Sequence, residues 1–432
     1  MSRLEPDEIR RVLVVAYYFP PMGLSGVQRT LKFVKNLPRY NWHPTVLTVG
    51  PVGYFAHDET LLEDLASPEV RVVRTESAGP GRLLRKRETV RLPSERVRKG
   101  LSMLSDTFYI PDNKIGWKRK AVRAAMALQQ ETPFDLIFAT APPFTDFLVG
   151  TEIKKRIGKP LVFDYRDPWL EFPFKFYPTP FHRSANARLE REALRASSHV
   201  VTTNRRVKEL LIARHEFLTH HDIDIIPQGF DPEDFPPRPP ATGPHPSTYR
   251  SMRFTYTGIF YEDRVPDHFL RGLRGLFERR PELRGKIEAR FVGNFRKENM
   301  HLVEDLGLQD SVVVMDYLPH RKCVKEMVES DVVWIVVGDD LGSPGKVYEY
   351  IGARKPILGL VPEGFLRSTI QEAGGVTVGP ADVPAVTAAI GDLYDRFLRN
   401  DLPVPPEDVV AKYDRTVLTA QLVKVFESLF EP

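Results

Sequence analysis

Val332-Val-Trp-Ile-Val-Val337 followed by Gly338-Asp-Asp-Leu-Gly-Ser343-Pro-Gly-Lys346-Val-Tyr-Glu349-Tyr-Ile-Gly352 reads as a strand, a turn and a helix in succession. The six apolar residues are mostly β-branched and too few for a buried helix, which marks a strand covered on both faces. Gly338 to Gly342 interrupt the run. Ser343 then stands at the N-cap and Pro344 at the first helical position, a strong helix start.

The same unit recurs along the chain. Strands are expected at Val12–Ala16, Thr45–Val49, Val70–Val73, Leu136–Thr140, Leu161–Tyr165, Val200–Thr203 and Ile223–Ile226, with amphipathic stretches between them. After the first strand, Val27, Leu31, Val34 and Leu37 fall near helical spacing and give one apolar face. A second series holds strands near Phe254–Thr257, Ala289–Val292, Val312–Met315, Val332–Val337, Pro356–Leu360 and Val376–Val378. Alternation of this kind builds parallel sheets joined by crossover helices. Between the two series, residues 227–251 contain Pro-Pro-Arg-Pro-Pro-Ala-Thr-Gly-Pro-His-Pro, which excludes both helix and central strand. The organisation expected is therefore a doubly wound domain over 1–226, a Pro-rich linker over 227–251, a second such domain over 252–410, and a closing helix over 411–432. Ligands of open α/β sheets sit beyond the carboxyl ends of the strands, so a cleft between two such domains is the expected place for chemistry.

Totals narrow the class of protein. The chain has 432 residues, of which 42% are apolar and 27% charged, the balance of a globular protein with a sizeable core. Its 61 basic and 57 acidic residues leave a net charge of +4, which favours no particular partner. The single cysteine, Cys323, excludes an internal disulfide and fits a reducing cytoplasm. The N-terminal Met1-Ser-Arg-Leu-Glu-Pro-Asp-Glu-Ile-Arg-Arg11 lacks the apolar stretch of a secretory signal, so none is expected. The longest apolar runs fall far short of the roughly 20 residues that cross a bilayer, and any membrane contact is expected to be peripheral.

Four constellations have the residue types for chemistry. After the first strand, Tyr17-Tyr-Phe-Pro-Pro-Met-Gly23-Leu-Ser-Gly26-Val-Gln-Arg29 leads into a helix. Gly23 and Gly26 let backbone N–H groups approach an anion there, although a tight strand-to-helix turn needs the same glycines. In the quoted stretch, the N–H groups of Gly345 and Lys346 and the Lys346 ammonium suit a diphosphate, while Glu349, one turn on, can accept two ribose hydroxyls. An ordinary capped helix with a solvated Lys and Glu fits that stretch as well. Third, Asp164-Tyr-Arg166-Asp167-Pro-Trp169 ends a strand. Arg166 and Asp167 place a guanidinium and a carboxylate at a strand end facing the expected cleft, the other reading being an Asp/Arg pair that fixes the turn. Trp169 and Phe172 are read as an acceptor wall or as packing. Fourth, Arg82, Arg85, Lys86, Arg87, Arg91, Arg96, Arg98 and Lys99 are opposed only by Glu88 and Glu95, with leucines and valines interleaved through Leu104. Such a segment suits an anionic membrane surface or a lipid-linked diphosphate, or forms a plain solvated face. No nucleic-acid recognition motif accompanies it.

Taken in order, these segments resemble the retaining GT-B glycosyltransferases of glycosyltransferase family 4, over nearly the whole chain. The Pro20-Pro21, Gly23, Gly26 and Arg29 loop is similar to that family's N-terminal loop, and Lys346 to Ile357 to its donor helix. Ile226-Pro-Gln-Gly-Phe-Asp231, Tyr256-Thr-Gly258, Phe291-Val-Gly293 and Ala373-Gly-Gly-Val-Thr-Val-Gly-Pro380 follow at matching places. The Pro-Pro loop and the Arg166-Asp167 motif resemble a subgroup that makes bacterial surface polysaccharides. The resemblance implies a GT-B fold of two Rossmann-like domains facing each other across a cleft. It implies transfer of a hexosyl group from a nucleotide sugar with retention, to a glycan or lipid-linked acceptor in polysaccharide or glycolipid synthesis. Gly258, Arg264, Ser343, Gly345, Lys346, Glu349, Gly23 and Gly26 are then the donor contacts, and Arg166 and Asp167 the catalytic pair. Trp169 with Arg85, Lys86 and Arg87 forms the acceptor or membrane side. No metal or other cofactor is expected, nor any nucleic-acid partner, and the place of work is the cytoplasm or the inner membrane face. Three positions depart from the family. Leu341 stands where a paired glutamate is expected, Ile259 where an arginine is expected with Arg264 near the adjoining lysine, and 139–145 has no histidine. These motivate one alternative, a nucleotide-sugar binding or scaffold protein with impaired catalysis; a separate alternative is a nucleotide-sugar epimerase with His320 as its acid/base group.

Overall fold

The computed structural model describes residues 9–23, 25–50, 56–76, 95–172, 175–236, 251–260 and 264–431. The chain divides into two compact units, the first running to Pro227 and resuming at Leu418, the second covering Gln228–Val417. Most of the Pro-rich linker, and Arg85, Lys86 and Arg87, lie outside the described residues.

The first unit comprises β1 (Arg10–Val15), α1 (Ser25–Asn36), β2 (Trp42–Val49), β3 (Arg71–Thr75), α2 (Glu95–Phe108), α3 (Lys118–Glu131), β4 (Leu136–Ala141), α4 (Thr145–Ile157), β5 (Leu161–Tyr165), α5 (Pro180–Ala196), β6 (His199–Thr202), α6 (Arg205–Arg214) and β7 (Ile223–Ile225). The sheet order is β3-β2-β1-β4-β5-β6-β7, every neighbouring pair parallel. β4 and β5 are buried at every position, which is why each opens on a run of apolar residues, Leu136–Ala139 and Leu161–Phe163, before Thr140 and Asp164 near their carboxyl ends. β2 begins three residues before the expected Thr45, because Pro44 reads as a breaker although it takes its place opposite Val12.

The second unit comprises β8 (Met252–Thr257), α7 (Asp267–Arg279), β9 (Ile287–Val292), α8 (Lys297–Asp305), β10 (Val312–Met315), α9 (His320–Val328), β11 (Val332–Val336), α10 (Gly345–Gly352), β12 (Ile357–Leu360), α11 (Phe365–Glu372), β13 (Val376–Val378), α12 (Val383–Leu398) and α13 (Glu407–Lys412). Its sheet is parallel in the order β10-β9-β8-β11-β12-β13. Trp334 of β11 is fully buried and stacks on Phe269 of α7 at 4.1 Å between ring centroids.

The closing helix α14 (Arg415–Ser428) starts in the second unit and ends in the first. Leu418, Leu422, Val423, Val425 and Phe426 join the core of the first unit, with Phe426 edge-on to Trp42 at 5.1 Å and to Phe138 at 5.6 Å. Among the described residues, no helix is long and apolar enough to cross a membrane.

Candidate functional site

In each sheet the order reverses beside the first strand, between β1 and β4 and between β8 and β11. Such reversals open a crevice at the carboxyl ends of the strands, where α/β proteins hold ligands.

In the second unit, β8 is followed by Gly258 and β9 by Gly293. Both have positive φ, 145° and 131°. A Cβ at Gly293 would lie 2.1 Å from the Gly258 carbonyl oxygen, so only glycine permits this approach of two strand ends. β11 passes into a turn organised by Asp339, whose Oδ1 accepts from the amides of Leu341 at 2.9 Å and Gly342 at 2.7 Å. The Arg264 guanidinium rests against Gly342, where a Cβ would meet Nη2 at 2.9 Å. Helix α10 begins one residue later than its sequence suggests. Pro344, with φ −66° and ψ 123°, is the N-cap, and no side chain caps the helix. Ser343 is therefore not the cap: its hydroxyl lies 3.2 Å from the Tyr348 hydroxyl. An uncapped helix start leaves the Gly345 end of α10 as the positive pole of the crevice.

Lys346 and Glu349 do share a face of α10. Lys346 Nζ donates to Glu349 Oε2 at 2.7 Å, and His320 Nε2, from the first residue of α9, is 3.2 Å from Oε1. The other imidazole nitrogen of His320 stands 3.9 Å from Asp234 Oδ2. Beneath Lys346, the Cys323 Sγ is 3.8 Å from Nζ. Burial alone would raise the Glu349 pKa, but the Lys346 charge and the His320 hydrogen bond outweigh it and hold the carboxyl well below the usual range. Lys346 shows the converse, since burial opposes its charge while Cys323 and Glu349 hold its pKa above the usual lysine value. Burial pushes the Cys323 thiol up. The ionised glutamate keeps two acceptor oxygens beside an ammonium and an uncapped helix end, the donor set for a diol next to an anion.

The first unit uses its charged residues differently. Arg29 and Asp164 are wholly buried and paired, Nη2 to Oδ1 at 2.9 Å and Nε to Oδ1 at 3.0 Å. Thr140 donates to the same carboxylate at 2.8 Å, and Arg29 Nη1 donates to the Pro227 carbonyl at 2.6 Å. Arg166 is committed as well: Nη1 donates to Gly26 O at 2.5 Å, Nη2 to Pro142 O at 2.6 Å and Nε to Ala141 O at 3.2 Å. This corrects its expected catalytic role, because the guanidinium is held by carbonyls of the first turn of α1, the last residue of β4 and the loop after it. Gly26 makes room for it, since a Cβ there would meet Nη1 at 2.7 Å. Gly23 spends its amide on the Ala56 carbonyl at 2.8 Å and does not offer it to an anion. Trp169 is likewise not an acceptor wall. It is fully buried, stacked on Phe144 at 4.6 Å, with its indole N–H donating to Asn186. Asp167, directly after Arg166, remains half-buried beyond the end of β5.

One residue at this reversal went unread. Asp146, in the first turn of α4, accepts the Tyr17 amide on Oδ2 at 2.8 Å, while its buried Oδ1 has no hydrogen-bond partner among the described residues. Burial, with Asp112 adding to it, raises its pKa well above the carboxylate range despite Arg166 nearby. The signal was an acid one turn after a strand end at the reversal, just past the 139–145 segment searched for histidine. In the sequence His320 enters only with the epimerase alternative, and its bond to Glu349 crosses 29 residues.

The family model described as Glycosyltransferase Family 4 matches residues 24–234. No curated protein matches the chain by sequence. Among solved structures, a sucrose-phosphate synthase from Thermosynechococcus elongatus is 17% identical, with 98% of this chain and 99% of that one covered at a TM-score of 0.65. HepE of Anabaena, crystallised with UDP and glucose, is 16% identical over 97% of this chain and 100% of that one, with a TM-score of 0.64. A putative UDP-N-acetylglucosamine 2-epimerase from Listeria monocytogenes is 12% identical over 98% and 97%, with a TM-score of 0.57. At these identities the likeness is one of fold: two Rossmann-like domains of the GT-B type.

Proposed function

We propose that this chain, a GT-B protein whose N-terminal half matches glycosyltransferase family 4, transfers a hexosyl group from a nucleotide sugar to an acceptor with retention of configuration. The observation that carries the reading is the group Lys346, Glu349 and His320 at the uncapped start of α10. Glu349 accepts the ribose hydroxyls, and Lys346, Arg264 and the α10 amides hold the diphosphate. HepE crystals hold UDP and glucose, so UDP-sugars are the first donors to try. The bond from the acceptor oxygen to the anomeric carbon forms as the bond to the diphosphate breaks, and the acceptor proton passes to the departing phosphate. On this account the protein contributes orientation and positive charge, with no metal. Asp167 stands as the polar group toward the sugar. Bacterial polysaccharide or glycolipid synthesis at the inner membrane face is the setting we assign, with residues 82–104 toward the lipid.

Thermal shift against a panel of nucleotide sugars, followed by release of nucleotide with candidate acceptors, tests the reading. A donor should raise the melting temperature by mass action, and Glu349→Ala should weaken its binding by about 10- to 100-fold. No donor shift, or a Glu349→Ala protein indistinguishable from wild type, would falsify it. A binding protein without turnover is the second reading, favoured by Leu341, Ile259 and the commitment of Arg166 to backbone carbonyls. Donor binding with no product on any acceptor would establish it instead. Sugar NMR of the product separates both from an epimerase.

A further inference from the structure

Helix α10 anchors more than Lys346 and Glu349. One turn after Glu349, Gly352 makes room for the buried Phe230 ring, since a Cβ there would meet Phe230 Cδ2 at 2.5 Å. The Phe230 backbone is held on both sides: its amide donates to Tyr413 O at 3.0 Å, and its carbonyl accepts from the Arg415 amide at 2.9 Å. The residues that follow are thereby seated against α10. Asp231 closes them into a single turn, its Oδ1 accepting from the Glu233 amide at 3.0 Å. That turn ends on Asp234, whose Oδ2 lies 3.9 Å from His320 Nδ1. All of these residues belong to the second unit.

His320 thus faces a carboxylate at each ring nitrogen, Asp234 at Nδ1 and Glu349 Oε1 at Nε2. An ionised Glu349 only accepts, so the hydrogen of that contact belongs to Nε2. The negative charge beside Nδ1 fixes which way the ring is turned. Lys346 occupies the other oxygen, Oε2, at 2.7 Å. A carboxylate oxygen has two lone-pair sites, so one donor on each leaves one site on each for a ligand. A pair of acceptor sites side by side matches the two neighbouring hydroxyls of a ribose.

Lys346 alone does not give that pairing. Its ammonium is a point charge on a flexible stem, its side chain is 25% exposed, and it holds one oxygen only. The imidazole, 9% exposed, is the rigid second hold. Without it the buried Oε1 loses its donor and the carboxylate turns about its contact with Lys346. The charge of Glu349 would survive, but its two-handed grip on a diol would not.

We propose that His320 is a positioning residue that makes this site select a ribonucleoside diphosphate over the deoxy form, with Asp234 orienting the ring. The inference rests on the reading of Glu349 as the ribose acceptor, and adds the residue that decides which nucleotide sugar ring is read.

Calorimetric titration of the full chain with UDP, ADP and GDP, each beside its 2′,3′-dideoxy counterpart, tests it. The wild type should bind a ribonucleotide tighter than its dideoxy form by about tenfold or more. His320→Leu should weaken the ribonucleotide by about tenfold and the dideoxy form by less than about threefold, so that the preference collapses. His320→Gln, whose amide brings an N–H to the place of Nε2, should restore most of the preference, and Asp234→Asn should lose part of it. Should His320→Leu not fold, His320→Asn, whose shorter amide falls short of Oε1, makes the same comparison. Equal weakening of both nucleotides in these removals, an undiminished preference, or His320→Gln no better than His320→Leu would each overturn the proposal. A wild type that binds no nucleotide, or binds both forms equally, counts against the donor site itself and takes this inference with it. A preference that survives the loss of His320 counts against His320 alone.

Discussion

The two units repeat one plan, yet the charged residues at their two strand reversals do opposite work. Beside β1 and β4, Arg29, Asp164 and Arg166 are consumed by buried partners within the unit. Beside β8 and β11, Lys346 keeps a quarter of its side chain exposed and Glu349 a tenth, while both Arg29 and Asp164 are at zero. A charged residue at a strand end is therefore not yet a site. What separates scaffold from site is whether its partners are fixed parts of the protein or groups that a ligand can exchange.

Breaking the buried pair should have the largest effect. Asp164→Ala strands the Arg29 guanidinium without water or carboxylate, and should cost about 3–5 kcal/mol in urea unfolding of the first unit. A loss below about 1 kcal/mol would show that the pair is no scaffold. The matching change in the second unit should behave otherwise. Lys346→Met should lower donor affinity by roughly tenfold or more at a smaller cost in stability, because a quarter of the lysine side chain is already exposed.

pH sharpens the same contrast. The Glu349 pKa is depressed in the folded protein, so its stabilising contribution is complete above the unfolded value near 4.5 and lost only as pH falls through the lower folded one. Donor binding by the wild type should accordingly be insensitive to Glu349 between about pH 5 and 8. Without Lys346 the buried carboxyl loses its largest favourable charge and its pKa rises. The Lys346→Met protein should then bind donor more weakly toward pH 5 than at pH 8, and a flat titration of its affinity would refute the coupling.

Asp146 carries the smallest expected effect and the opposite sign. Its folded pKa is raised, so it favours the fold below the unfolded value near 3.8, and that advantage is lost as pH rises through the folded value. Asp146→Asn keeps an acceptor for the Tyr17 amide and removes the ionisation cost. It should stabilise by about 1 kcal/mol at pH 8 and by less at pH 5. Melting curves at the two pH values that showed no difference would remove Asp146 from the comparison.

The framework was readable because the strands are short local runs of mostly apolar, β-branched or aromatic residues. Leu161–Tyr165, Val312–Met315 and Val376–Val378 occur with the limits expected of them. Lys346 and Glu349 were legible for the same reason, being three residues apart on one helix. Arg166 was misread because its partners are carbonyls, one of them 140 residues away, and no residue type announces a carbonyl. Trp169 carried both an acceptor-wall and a packing reading because an aromatic after an Asp-Pro pair looks the same in a loop as in a core, and it packs. Its burial depends on Phe144 and Asn186, each from a different helix region.

The path of α14 has a consequence for how the chain is made. Phe426 closes the core over Trp42 and Phe138, but it leaves the ribosome only after the whole of Gln228–Val417 has been synthesised. At roughly 5–20 residues per second that is a delay of about ten to forty seconds. During it the first unit lacks part of its hydrophobic cover, while the second can complete its own sheet. The unit begun first is finished last, and nascent chains stalled before Leu418 are where a chaperone would be found waiting on Trp42.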